Sequence, residues 1–138
     1  MISVQKITAP EDLQKAFAIR DNVFVHGQNV PAHLEHEHDD IAHHFLATVN
    51  DIPVGTARWR KTEQGYKLER FAILQEYRGK GIAAAMIKSV LADLPEDATY
   101  IYLNAQIDAV SVYEKNGFIK VGEQFEEAGI LHFKMVKA

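Results

Sequence analysis

The chain has 138 residues, 47% of them hydrophobic, with 15 basic against 19 acidic side chains, a formal net charge of -4 and no cysteine. That length suits one globular domain, expected over residues 1–138; the charge offers no basic surplus to a nucleic acid or an anionic membrane, and the missing cysteine excludes disulfides, thiolate metal sites and a cysteine nucleophile. The start, MISVQKITAP, lacks a signal peptide's basic and apolar stretches, and no apolar run approaches the roughly 20 residues that span a bilayer, so a soluble cytoplasmic protein is expected.

Residues 1–7 alternate loosely and suggest a first strand. Thr8, Pro10 and Glu11 follow as a helix-start signal in the Thr-x-x-Glu capping pattern. Leu13, Ala16, Phe17, Val23 and Phe24 then fall on one helical face up to a breaker at 27–31. Residues 32–40 form a polar, His-rich loop or short helix. Residues 45–49, an Asn50-Asp51 turn and residues 52–59 read as a β-hairpin, which Gly65 and residues 66–74 extend into an antiparallel meander.

From Gly81 onward, Ile82, Ala83, Met86, Ile87, Val90, Leu91 and Leu94 recur at steps of three and four, the pattern of an amphipathic helix. A short strand at 99–103, a helix at 108–115 closed by Asn116-Gly117, and strands at 118–121 and 132–136 complete the chain. This order implies an α+β fold: a mixed, mainly antiparallel sheet with a central parallel strand pair and flanking helices.

The segment running from Leu68 to Met86 carries the chemical signal. Arg78, Gly79, Lys80, Gly81, Ile82 and Ala83 form a turn between strand and helix, where unpaired backbone N–H groups and the helix dipole favour an anion such as a pyrophosphate. An isolated Gly-x-Gly is also an ordinary exposed turn, and the stretch is neither a dinucleotide fingerprint nor a phosphate-binding loop of the Gly-Lys-Ser/Thr type.

Arg-x-x-Gly-x-Ala (Arg78, Gly81, Ala83), preceded by Phe71-Ala72-Ile73 and followed by Tyr113-Glu114-Lys115-Asn116-Gly117-Phe118, resembles the paired cofactor motifs of the GNAT superfamily of acyl-CoA-dependent N-acyltransferases. The resemblance implies that residues 78–83 hold the CoA pyrophosphate and that the backbone of Phe71, Ala72 and Ile73 pairs with the pantetheine arm in a V between two strands. Asn104 would border the V, and Tyr113 would point its phenol at the CoA sulfur. Gln106 stands where many relatives have Asn, which lengthens that contact and keeps the amide.

Such a site requires a neutral amine to attack a thioester, with the ammonium deprotonated, the oxyanion stabilised and the leaving thiolate protonated. A backbone N–H of residues 71–73 can serve the oxyanion and Tyr113 the thiolate, although a tyrosine on such a helix can equally be a packing residue. Glu69, at the start of the cofactor strand, is the first candidate base, directly or through water; Glu69 and Arg70 can equally be a solvated pair. His132 is the second candidate, since residues 127–135 resemble the closing strand of small stand-alone members of the superfamily, and histidine titrates near neutrality.

Six of the seven histidines fall between His26 and His44, among Glu35, Glu37, Asp39 and Asp40. The spacing of His33, His36 and His38 matches no His-Glu-x-x-His site, so a solvated loop forming the acceptor-site wall is expected and no metal is required, with a metal-binding His loop as the alternative. Its carboxylates would favour a cationic acceptor. The implied function is transfer of an acetyl group from acetyl-CoA to an amine on a small molecule or peptide. A non-catalytic acyl-CoA sensor on the same fold is the alternative, and open sheet edges make a homodimer plausible.

Overall fold

The computed structural model describes residues 1–28, 30 and 37–138, so His33, Glu35 and His36 of the His-rich segment lie outside the described residues. Seven strands form one sheet: β1 (Ile2–Ile7), β2 (His43–Val49), β3 (Ile52–Lys61), β4 (Tyr66–Ile73), β5 (Ile101–Gln106), β6 (Phe118–Glu127) and β7 (Ile130–Lys137), in the order β1-β2-β3-β4-β5-β7-β6. Only β4 and β5 pair in parallel among the described residues, which gives the expected mixed sheet with its central parallel pair. The helices are α1 (Pro10–Arg20), which runs into a π-helical segment (Asp21–His26), α2 (Ile82–Asp93) and α3 (Val110–Lys115).

The Thr8 capping box does not form. Ala9 is the N-cap, without a side-chain cap bond, and Pro10 occupies the first turn, where its fixed φ suits the helix and its missing N–H costs nothing. The last hairpin is longer than its apolar residues suggest, because β6 is an edge strand whose outer positions Glu123, Gln124 and Glu126 stay exposed. Ala128 (φ 52°) and Gly129 (φ 77°) turn it. β5 begins two residues later than expected and extends to Gln106, carried by its ladder with β7.

Alternation along β2 sends its side chains to two cores. Phe45 and Ala47 join Val54, Ala57, Trp59 and Leu68 beneath Ile82, Met86, Ile87 and Val90 of α2. Leu46 lies on the opposite face with Ile7 and Ala72, beneath Ala16 and Ile19 of α1 and Val23 and Phe24 of the π segment. Burial of each Val, Leu, Ile, Phe or Met among them stabilises the fold by about 1.5–3 kcal/mol. The π segment, a wider turn than an α-helix, keeps Val23 and Phe24 on the inner face. At Gly55 a Cβ would come 3.2 Å from the Ala72 carbonyl oxygen and 3.4 Å from the Met86 sulfur, so α2 packs closely there.

A bulge in β4 shapes the centre of the sheet. Glu69 pairs with Arg58 and Ala72 with Thr56, so Arg70 and Phe71 oppose Ala57 alone, and Arg70 takes a left-handed φ of 58°. The bulge inverts which face each side chain meets: Leu68 packs toward α2, yet Ala72, four residues on, packs toward α1, while Phe71 and Ile73 lie against the α2 core. Pairing between β4 and β5 stops at Leu68 and Leu103. Beyond that point, among the described strands, β4 pairs only with β3, and β5 only with β7 as far as Gln106 and His132, so the two strands splay into a V.

The closed end of the V is tightly built. Tyr66 donates its N–H to the Tyr100 carbonyl (2.8 Å), and any Cβ on Gly65 (φ 156°) would collide with that same oxygen. Glycine is therefore required where the parallel pair begins.

Candidate functional site

The V opens into a cleft of about 730 Å³. Its wall gathers Glu69, Phe71, Ala72, Ile73, Arg78, Gly79, Gly81, Ile82, Ala83, Asn104, Gln106, Tyr113 and His132, which are all the residues singled out from the sequence except Lys80. Lys80, within the same turn, is exposed. The rest are brought together by the unpaired edge of β4, the β4–α2 turn, the matching edge of β5 with α3 behind it, and β7, which carries His132.

At the mouth, Gly79 (φ 78°) and Gly81 (φ 84°) take the left-handed conformation, and a Cβ on either would meet nothing within 4 Å. Gly81 is the N-cap of α2, and no side chain caps this end of the helix. The first-turn N–H groups of α2 thus stand at an open, dipole-favoured anion position. Arg78 donates through Nε to the Ile73 carbonyl (3.0 Å), fixing the turn to the end of β4. Glycine backbone, helix N-terminus and guanidinium together fit a pyrophosphate, and the unpaired strand edges fit an extended amide-bearing arm.

Tyr113 enters the cleft from the α2 side. Its ring meets Phe71 edge-on at 5.7 Å and Phe118 at 6.1 Å. Burial pushes its phenol above the ordinary tyrosine value of 10, so the group keeps its proton at neutral pH. It is a donor rather than a base.

The opposite wall is polar. Glu69 is buried, which raises its carboxyl, but Arg58, Lys67 and Arg60 outweigh burial and hold it below the usual range. Arg58 and Arg60 donate through Nε to Oε1 at 3.1 and 2.6 Å, and Lys67 Nζ lies 3.4 Å from Oε2. A carboxylate so engaged is a fixed anion with little call for a proton. His132 is placed differently. Its Nδ1 lies 2.7 Å from the Ile130 carbonyl, which can only accept, so Nδ1 carries hydrogen and neutral His132 has its lone pair on Nε2. Nε2 is 3.9 Å from Glu127 Oε2, and Phe125 stacks on the ring at 5.7 Å.

Sequence reasoning missed what anchors this wall. Arg20 donates to both oxygens of Asp39 (2.7 and 3.1 Å), Arg58 Nη1 donates to Asp39 Oδ1 (2.6 Å), and Arg58 continues to Glu69. Both arginines are buried. The one sequence signal was Arg58 itself, a charge in the middle of an otherwise buried strand. Gln28 and Gln106 exchange two hydrogen bonds of 3.0 Å, joining the end of the π segment to β5 and giving the Gln106 amide a definite partner. Asp39, which the sequence suggested as part of an acidic acceptor wall, is spent on two arginines. No group of three His, Asp or Glu side chains is arranged to hold a metal ion among the described residues.

His44 shares this network and gives it a pH dependence. Its Nε2 donates to the Asp39 carbonyl (2.9 Å) and its Nδ1 is buried without a hydrogen-bond partner among the described residues. Burial lowers its pKa, the nearby Arg20 and Arg58 lower it further, and Asp39 raises it; His43 is lowered by burial and by Lys6. The folded state therefore binds fewer protons than the unfolded state once pH falls through the unfolded value near 6.5. Stability is expected to fall between pH 7.5 and 5.5, by at most about 1.4 kcal/mol per pH unit for each histidine. Thermal midpoints at the two pH values should show the loss, and His44→Gln should reduce it.

Comparison with known proteins agrees with this geometry. A family model described as an acetyltransferase (GNAT) domain matches residues 6–138. The chain is 38% identical over 132 residues to the uncharacterized N-acetyltransferase YjcF of Bacillus subtilis (strain 168), covering 92% of this chain and 93% of that protein. Among solved structures, an acyl-CoA N-acyltransferase from Pseudomonas aeruginosa superposes with a TM-score of 0.83 at 23% identity, covering 100% of this chain and 99% of the other. A Bacillus subtilis acetyltransferase solved in complex with CoA superposes with a TM-score of 0.76 at 15% identity, over 99% and 98% of the two chains.

Proposed function

The chain belongs to the family of GNAT acetyltransferase domains, and on that premise we propose that it moves an acetyl group from acetyl-CoA to a primary amine by direct attack, acting as one domain over residues 1–138. The observation that carries this reading is the alignment of an open glycine turn, a V of unpaired strand edges and a proton-holding Tyr113 along one cleft. The donor lies with its pyrophosphate on the turn at 78–83 and its pantetheine arm along residues 71–73, bordered by Asn104 and Gln106.

The amine approaches from the α1 side, where Glu69 and His132 stand, while Tyr113 lies on the α2 side of the sheet. Attack forms the C–N bond and breaks the C–S bond. A backbone N–H of residues 71–73 stabilises the oxyanion, and the Tyr113 phenol gives its proton to the departing thiolate. His132 Nε2 is better placed than Glu69 to take the ammonium proton, because Glu69 is held by three cations. Glu69 then serves to fix Lys67 and Arg60 at the cleft edge.

Calorimetric titration with acetyl-CoA, followed by a screen of amines for CoA release, tests the proposal. One-site micromolar binding with amine-dependent release is expected. Binding without release from any amine would point to an acyl-CoA sensor, and absence of binding would overturn the reading altogether.

A further inference from the structure

The α1 face of the sheet carries a second, shallower hollow of about 690 Å³, lined by Arg60, Lys61, Thr62, Glu63, Gln64 and Tyr102. The two spaces share the Glu69 carboxylate as a boundary: Arg60, from the hollow, and Lys67, from the cleft, both bind it. Lys134 stands at the same edge. Its Cα pairs with that of Asn104, and its Nζ donates to Gln64 Oε1 (2.9 Å) while lying 5.3 Å from the Tyr100 ring centre and 4.9 Å from that of Tyr102. Tyr102 is itself fixed, its hydroxyl 2.7 Å from Thr62 Oγ1.

Lys134 is thus a cation held in place by an amide and two aromatic faces, with no carboxylate among the described residues paired to it. The surroundings repeat the imbalance. Among the described residues of the hollow and its boundary, the four cations Arg60, Lys61, Lys67 and Lys134 stand against two carboxylates, Glu63 and Glu69, and Glu69 is further shared with Arg58. A preorganised cation in a region of surplus positive charge is built to receive an anion. The distance to the reacting centre is set by the strand. Lys134 is two residues from His132 on the same face of β7, so their Cα atoms lie roughly 7 Å apart, and Nζ reaches further from His132, toward Gln64 and Tyr100, so the anion position lies beyond that distance.

Resting on the acetyltransferase reading above, we infer that the acceptor is an amine that also carries an anionic group, bound with its nitrogen beside His132 and its anion on the shelf formed by Lys134 and Lys67. This replaces the cationic acceptor that the acidic residues of the loop suggested from sequence. The carboxylate of that loop seen here against the wall, Asp39, is already neutralised by Arg20 and Arg58.

The test uses the full chain loaded with CoA and three probes of one length: 6-aminohexanoate, its neutral amide 6-aminohexanamide, and 1,6-diaminohexane. Calorimetry should show the amino acid binding at least tenfold more tightly than the amide, and the diamine more weakly still. Lys134→Gln should abolish that preference and Lys134→Arg should preserve it. Substituting 5-aminopentylphosphonate tells whether a carboxylate or a phosphate-like group is the better anion. Equal or tighter binding of the amide or diamine, a preference that survives in Lys134→Gln, or no binding of the amino acid would overturn the inference. Failure of CoA itself to bind would instead overturn the acetyltransferase reading, and it is measured in a separate titration.

Discussion

Gly81→Asp is expected to weaken CoA binding by at least about a hundredfold, a loss of roughly 2.7 kcal/mol, while the protein stays folded. Gly81 is the N-cap of α2, and a side chain there enters open space rather than neighbouring atoms. Asp tolerates the left-handed conformation better than most residues. Gly81 lacks the extended backbone from which an N-cap side chain bonds the first-turn N–H groups, so the carboxylate acts by its charge and bulk beside them. It stands at the anion position and repels a pyrophosphate. Calorimetry against CoA, beside a thermal unfolding curve, separates the two effects. Gly81→Ala supplies the comparison, since it adds the backbone strain without the charge and should lose much less affinity. A folded Asp variant with unchanged CoA affinity would remove the pyrophosphate from this turn.

What made that turn visible in the sequence is the strength of its flanks. Helix α2 is read from its apolar steps of three and four because it buries one face and exposes the other, and the glycines before it mark where the strand must end. The two-sided core was less visible. Residues 54–59 are buried without alternation because helices cover both faces of β3, and only a charge, Arg58, interrupts them. The V itself has no local signature. Arg70 is not a residue type that favours φ 58°, so the bulge at β4 is imposed by pairing with β3 and by the cores on either side, at a cost of about 1–2 kcal/mol. The wall of the acceptor side was hidden for a related reason. Arg20, Asp39, Arg58 and Glu69 are separated by intervals that follow no helix or strand period, and only the folded sheet brings them together. Glu69, the first candidate base, consequently stands as an anion anchored by three cations, whereas His132, the second, has its Nε2 lone pair free of any such cation among the described residues.

Tyr113→Phe is expected to lower kcat by about a hundredfold, the lower end of what a positioned acid contributes, with acetyl-CoA affinity nearly unchanged. The substitution removes one hydroxyl and leaves the ring, so the edge-on contacts with Phe71 and Phe118 that set the cleft wall persist. In the proposed role the phenol acts on the thiolate only as the C–S bond breaks, which predicts that kcat and kcat/KM for the acceptor fall together, the pattern of an interaction made only in the transition state. The wild-type rate should also show no decline from loss of this proton as pH rises from 8 toward 10, since burial holds the phenol above its ordinary value. Steady-state kinetics of both proteins over that range decides the matter. An unchanged kcat at saturating acceptor would reduce Tyr113 to a packing residue and leave the proton for the thiolate to come from the newly formed ammonium or from water.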